Sequence, residues 1–285
     1  MMRREKINNY ILNKFFSKNN FLHIARGEYS MYEDIAKQYV DSAGNKVNRK
    51  VISEVYEFLS KSYRNEYFYQ NTLLNKLLLG KHSLTKGSAL TQLPVCKSKA
   101  DFILIEDKAI VYEIKTELDT FNRLETQLRD YFKVFSYVCV VTSESQYERA
   151  FNILEDTPVG IYTLTSKDTI IIKKHKEPKE YTSRLNHIAI FKVLRKKERE
   201  NILLEYFGKL PDAPPVFYYG ECLKQFSKIP IMTAHRMAME QLKKRNQIKV
   251  SQIAKIPYEL KSLAYFSKLS KDDWQAVNKF LKQKL

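Results

Sequence analysis

Apolar positions recur at helical spacing over residues 5–17 and 29–40, a turn follows at 41–45, and a long helical region runs from about 49 to 79, ending at Gly80. The period then changes to that of strands. Ala89–Val95, Ala100–Ile105 and Ala109–Ile114 are short, largely apolar runs divided by turn-like Lys97-Ser98 and Glu106-Asp107-Lys108. Asp119 or Thr120 can cap a helix running to about Phe135, and Tyr137–Thr142 is an apolar strand of the buried, central type. A further helix (144–155) and two strands (159–164 and 169–173) extend the pattern. From about 186 onward the spacing is mainly helical, with breaks near Pro211–Pro215, Pro230 and Pro257. The order of helix, three strands, helix and strand predicts an α/β protein with flanking helical segments.

With 285 residues the chain has room for one large domain or two modest ones. The pattern divides it into an N-terminal helical segment (1–48), an α/β domain (49–175) and a C-terminal helical domain (186–285). A hydrophobic content of 44% and an aromatic content of 13% exclude a disordered chain. Nowhere does an apolar run approach the roughly 18 residues of a spanning helix, and the charged start (Arg3, Arg4, Glu5, Lys6) does not read as a signal peptide, so a cytoplasmic protein off the membrane is expected. Cys96, Cys139 and Cys222 form no CxxC pair and lie in or beside apolar runs, which predicts buried, reduced thiols; the sequence leaves the oligomeric state open.

Charge is uneven. The net charge is +17, yet residues 101–160 hold 6 basic and 12 acidic side chains, whereas 173–200 hold 10 and 4, and 243–285 hold 11 and 3. An acidic middle between basic flanks points to a polyanionic partner. No GxxxxGK[ST], GxGxxG or GxSxG element occurs, which sets aside the nucleotide-cradling and serine-hydrolase classes.

Candidate chemistry gathers in the strand region. Asp101 opens the second strand, and Glu113-Ile114-Lys115 closes the third, so a hairpin brings two carboxylates and an ammonium together, with Ile114 on the opposite face. Such a carboxylate pair can hold Mg²⁺ or Mn²⁺, and a neighbouring lysine can stabilise charge developing on a phosphate. Ordinary charges on a solvated strand face are the competing reading. On the first long helix Glu66 shares a face with Gln70, Leu73, Leu74 and Leu77 and is expected to point towards the sheet, while Glu57 aligns with Lys61 and Arg64 on a solvated face. Gln127 and Tyr131 lie on one helical face with Leu124 and Leu128. Glu117 reads as a rim charge.

At these residues the sequence resembles the PD-(D/E)XK nuclease superfamily, over about residues 50–165: Glu66, Asp101, Glu113-Ile114-Lys115, and a QxxxY-like run from Gln127 to Tyr131. The wording from Ser98 to Asp101 and from Val111 to Asp119 is similar to an uncharacterised bacterial branch often carried by prophages and mobile elements. Ala100 stands where that superfamily usually has proline. The resemblance implies a restriction-endonuclease-like core in which Asp101 and Glu113 bind Mg²⁺ or Mn²⁺, Lys115 is catalytic, Glu66 helps hold a metal or water, and Gln127 and Tyr131 orient the site. The expected activity is hydrolysis of phosphodiester bonds, most of all in DNA; the alternative is a nucleic-acid-binding or partner-binding module that keeps the fold without cleaving.

Lys173, Lys174 and Lys176, then Arg195, Lys196 and Lys197, are the basic residues expected to neutralise phosphates. Phe217–Phe226, Pro230 and Thr233–Lys244 fit either a helical hairpin or a helix-turn-helix with Thr233 as N-cap and His235 and Arg236 at the start of its second helix.

Overall fold

A computed structural model describes residues 9–81, 87–165, 170–171, 176–246 and 248–285. The chain divides into two compact units, one made of residues 1–84 and 248–285 and the other of 85–247. These units do not follow the three-part division expected at 48 and 186. Apolar periodicity marks where elements lie, but not that the last helices return to the first ones.

The first unit is helical. It contains α1 (Asn9–Phe15), α2 (Lys18–Ala25), α3 (Ser30–Tyr39), α4 (Asn48–Ser62) and α5 (Glu66–Leu73), followed by a π-helix over Leu74–Lys81. The helix expected over 5–17 is thus shorter among the described residues, and Ser17 caps a helix the periodicity did not separate. The long region from 49 to 79 is likewise not one helix. Its chain extends at Tyr63–Asn65, where the Asn65 side chain accepts the Phe68 amide at 3.0 Å and starts α5. Aromatic packing fills this unit: Phe16 stacks on Tyr67 (5.1 Å) and Phe280 meets Tyr32 edge-on (4.9 Å). The chain's last stretch, with α12 (Val250–Ile253), α13 (Lys261–Phe266) and α14 (Lys271–Phe280), joins by polar anchors as well. Buried Asn71 donates to the Tyr56 hydroxyl (3.1 Å) and the Tyr258 carbonyl (3.0 Å) and accepts the Ser262 amide (3.0 Å). These three side-chain hydrogen bonds reach elements distant in sequence.

The second unit is α/β. Six strands, β1 (Ser88–Val95), β2 (Ser98–Ile105), β3 (Ala109–Lys115), β4 (Tyr137–Ser143), β5 (Gly160–Leu164) and β6 (Ile170–Ile171), lie in sequence order across one sheet. β1 to β3 are antiparallel neighbours, β3, β4 and β5 are parallel, and β6 returns antiparallel. The parallel steps need crossovers, supplied by α6 (Leu124–Tyr131) and α7 (Tyr147–Leu154). The other helices here are α8 (His187–Val193), α9 (Lys196–Phe207), α10 (Pro215–Phe226) and α11 (Ile231–Lys243). Val111, Val138, Val140 and Ile161 from the sheet share one core with Leu124, Tyr131, Phe191, Leu203, Phe226 and Leu242 from the helices. The mixed sheet with helices bears out the expected α/β class.

Several local expectations change. The first hairpin turns at Cys96-Lys97, one residue earlier than expected, with Cys96 at φ 55° and exposed; only Cys139 and Cys222 are buried. The helix after β3 begins at Leu124, because the Asp119 carboxylate closes a turn on the Thr116 amide (2.8 Å) and hydroxyl (2.7 Å) instead of capping a helix. α11 starts at Ile231, directly after Pro230, so Thr233 lies inside the helix and is not its N-cap. No helix among the described residues is long and apolar enough to cross a membrane.

Candidate active site

The last registered pair of β2 and β3 is Phe102 with Tyr112, so one more step brings Asp101 beside Glu113. The strand ends converge there. Asp101 Oδ2 accepts the Ile114 amide at 2.9 Å, which ties its carboxylate to the Glu113-Ile114-Lys115 segment. Glu113 and Lys115 are not on a solvated face: they are 1% and 7% exposed, and the Lys115 ammonium donates to Glu113 Oε1 at 2.9 Å. A buried ion needs such a partner, since desolvation costs several kcal/mol per charge, about the scale of a whole domain's stability. Ile114, pointing the other way, is buried as its strand position requires. On the next strand Thr142 donates its hydroxyl to the Lys115 carbonyl at 2.8 Å, fixing the backbone beneath the ammonium.

α6 supplies the rest. Gln127 accepts the Lys115 ammonium at 2.8 Å and donates to Glu113 Oε1 at 2.5 Å, closing a three-membered ring of hydrogen bonds. One turn on, the Tyr131 hydroxyl lies 2.6 Å from Glu113 Oε2 and 2.8 Å from the Lys99 carbonyl, its single proton serving these two acceptors. Burial and the adjacent Glu113 carboxylate hold the Tyr131 phenol far above its ordinary pKa, so it remains a donor. The i,i+4 spacing of Gln127 and Tyr131 thus aims both at one carboxylate.

Two further residues belong to this arrangement. The buried Asp130 carboxylate accepts the Lys97 amide (3.1 Å), the Ser98 hydroxyl (2.9 Å) and the Lys133 ammonium (2.8 Å), pinning the β1–β2 turn to α6. Burial alone would raise its pKa, but these hydrogen bonds hold the carboxyl below the usual value. Gln92 falls opposite Asp101 in the β1–β2 register, with φ 53° and its amide nitrogen 3.5 Å from Asp101 Oδ1. A left-handed glutamine within a strand is costly and marks a constrained position. Residue type gives no signal for Gln92, and Asp130 lies off the apolar stripe of α6, with Thr126, Gln127 and Lys133 among its helical neighbours, so its burial is not legible from the pattern either.

The donor set suits a hard cation. Asp101 and Glu113 offer carboxylate oxygens from adjacent strands, a set that matches Mg²⁺ or Mn²⁺ retaining most of its waters and lacks the imidazole or thiolate that softer metals take. Among the described residues no group of three or more His, Cys, Asp or Glu could hold a metal ion.

The other expected residues lie apart from this cluster in role. Glu66 belongs to the first unit, is exposed at the first position of α5, and accepts from Gln70 at 2.5 Å; Leu73, Leu74 and Leu77 of its expected face are buried, but the first-turn end of that face is not. Glu57 pairs with Lys61 at 2.5 Å on an exposed face, and Glu117 is exposed, both as expected. Lys173 and Lys174 lie outside the described residues. Lys176 is not placed to grip phosphate: its ammonium donates to the carbonyls of Leu154, Glu155 and Thr157, closing the C-terminal end of α7. Arg195, Lys196 and Lys197 are exposed at the start of α9.

No curated protein and no solved structure matches the chain. A family model, that of the bacteriophage P4 protein cII, matches residues 59–273, which includes the whole Asp101–Tyr131 cluster. With three quarters of its length matched, the chain belongs to the bacteriophage P4 protein cII family.

Proposed function

We propose that the chain is a metal-dependent nuclease with a PD-(D/E)XK-type, restriction-endonuclease-like core, hydrolysing phosphodiester bonds, most of all in DNA. The observation that carries this reading is the buried lysine of the Glu113-Ile114-Lys115 segment, held by Glu113 and Gln127 next to a second carboxylate, Asp101. A protein that only binds nucleic acid has no use for an ammonium and two carboxylates gathered at the end of a strand, where each charge is costly to bury. Asp101 and Glu113 would hold Mg²⁺ or Mn²⁺, which when bound supplies Lewis acidity at the phosphate and makes water easier to deprotonate. Lys115 carries the fixed positive charge that offsets negative charge developing on the phosphate. Gln127 and Tyr131 fix the orientation of Glu113, and Asp130 holds the hairpin that carries Asp101. The phage family is in keeping with a mobile-element setting.

The test is incubation of the purified protein with circular and linear DNA and with RNA, in Mn²⁺ or in EDTA. Cleavage that requires Mn²⁺ and disappears in Glu113→Gln is expected. Intact substrates in every Mn²⁺ reaction would overturn the reading.

A further inference from the structure

α10 opens with its apolar side turned outward. Val216 is 79% exposed, Phe217 64% and Tyr219 47%, while only Cys222 and Phe226 of this helix are buried. Singly exposed apolar residues need no explanation, but here three fall within one turn beside cations. The Arg199 guanidinium lies over the rings of Phe191 (4.4 Å) and Tyr219 (5.0 Å), and the Lys196 ammonium over Tyr218 (5.5 Å). Lys192, Arg195 and Lys197 are exposed on the same helix ends. The acids nearby are engaged: Glu198 is paired with Arg245, Glu200 accepts the Tyr218 hydroxyl at 3.0 Å and lies 3.9 Å from the Lys196 ammonium, which is itself largely exposed, and Glu221 lies 3.8 Å from Lys224. The surface is therefore cationic with open aromatic rings.

We propose that this α9–α10 face binds single-stranded nucleic acid, bases stacking on Phe217 and Tyr219 and phosphates meeting Lys196 and Lys197. Exposed rings gain from unstacked bases, which a duplex does not offer, and each stacked base contributes enough to change affinity severalfold or more. Lysines are depleted at the centres of protein–protein interfaces, and here one sits over a ring of the patch itself, so charge favours a polyanion over a protein partner. The inference deepens the nuclease reading by naming the form of its substrate, but its test does not depend on cleavage.

The experiment is fluorescence anisotropy of the full chain in EDTA with labelled oligo-dT and oligo-rU of about 16 nucleotides, and with a duplex of equal length. Both single strands are expected to bind more tightly than the duplex, and their ranking names the preferred sugar. Phe217→Ala with Tyr219→Ala should weaken binding by on the order of tenfold or more and leave its salt dependence unchanged. Because Tyr219 also packs on Phe191, Phe217→Ala alone, at an exposed position, is measured beside it, with thermal melting to show that both variants fold. Lys196→Gln with Lys197→Gln should flatten the plot of log affinity against log salt by about 0.7 per lost contact. Unchanged affinity in folded aromatic variants, tighter binding of the duplex, or a self-association that Phe217→Ala abolishes in a chain that ignores single strands would each overturn the proposal. Single-strand binding without cleavage in Mn²⁺ would sink only the nuclease reading; cleavage without it would sink only this one.

Discussion

Among the described residues of the second unit, two buried ion pairs differ in how completely each is closed. Glu198 and Arg245 face each other through two hydrogen bonds, 2.7 and 2.5 Å; Arg245 also donates to the Val193 carbonyl at 2.7 Å, and Glu198 accepts the Arg195 amide at 2.7 Å. This bidentate pair spends its charges on fastening α9 to the end of α11. Glu113 and Lys115 share a single contact, two positions apart on one strand, and the link from this strand to α6 is made by Gln127 and Tyr131, not by the ion pair itself. The contact between two charges on the same strand adds no tertiary link of its own. Burial of the second pair therefore calls for a reason other than stability, and the carboxylate of Asp101 beside it indicates one.

That contrast is broken most directly at the fastening pair. Arg245→Ala leaves the Glu198 carboxylate buried without its partner, which should destabilise the protein by about 3–5 kcal/mol, read as a large fall in melting temperature. Cleavage measured well below the new transition should be retained per folded molecule. If Arg245→Ala melts like the wild type, the distinction between the two pairs fails at its structural end.

At the other end, Lys115→Ala should reduce the cleavage rate per folded molecule by about 10²–10³ with little change in Mn²⁺ affinity measured by calorimetry. Because it leaves the buried Glu113 without its cation, its melting temperature should fall as well. Equal losses of rate and metal affinity would make Lys115 a support for the carboxylates. A wild-type cleavage rate per folded molecule in Lys115→Ala would make it a fastening residue like Arg245.

Both the strands and the cluster on them were visible in the sequence, because the period of two fixes which side chains share a face and the Glu113-Ile114-Lys115 spacing keeps its two charges on one side of β3. Gln127 and Tyr131 were visible for the same reason at helical spacing. Glu66 is exposed because it opens α5: periodicity shows which residues share its face, but not that the helix starts there after the Asn65 cap. Lys176 was misread because a lysine that closes a helix end and one that meets phosphate have the same sequence surroundings. Gln92 carries its information in a backbone angle, and Asn71 in contacts with Tyr258 and Ser262, neither of which a local pattern encodes.

The contrast is sharpened by acid. Glu198 and Asp130 both have pKa values below the ordinary range: burial opposes this in each case, but Arg245 and the Arg195 amide outweigh it at Glu198, as Lys133, Ser98 and the Lys97 amide do at Asp130. A carboxylate whose folded pKa is depressed binds fewer protons folded than unfolded, so its stabilisation is complete above the unfolded pKa of about 4.3 for Glu and 3.9 for Asp and fades as pH falls through the folded value. Melting temperature should therefore drop below about pH 4. Asp130→Asn should lower stability at pH 7 by about 2 kcal/mol, the scale of hydrogen bonds to a charged group, and make the remaining acid transition shallower. An acid transition unchanged by Asp130→Asn would show that the turn is not held by that charge.

The smallest effect is expected at Lys176, and it separates a cation that holds the fold from one that grips substrate. Its ammonium has three protons, and the carbonyls of Leu154, Glu155 and Thr157 accept them, so a phosphate could be met only by giving up a bond at the end of α7. Burial pushes the Lys176 pKa down, which is the behaviour of an ammonium drawn into the protein. Lys176→Gln should cost about 1 kcal/mol of stability, the usual worth of a cation at a helix C-terminus, and leave the salt slope of nucleic-acid binding as it is. Lys197→Gln, at an exposed position on α9, should do the reverse, keeping the melting temperature and flattening that slope by about 0.7 for a single strand. Should Lys176→Gln flatten the slope with no loss of stability, its carbonyl contacts give way to phosphate on binding, and the cationic surface reaches from α9 to the end of α7.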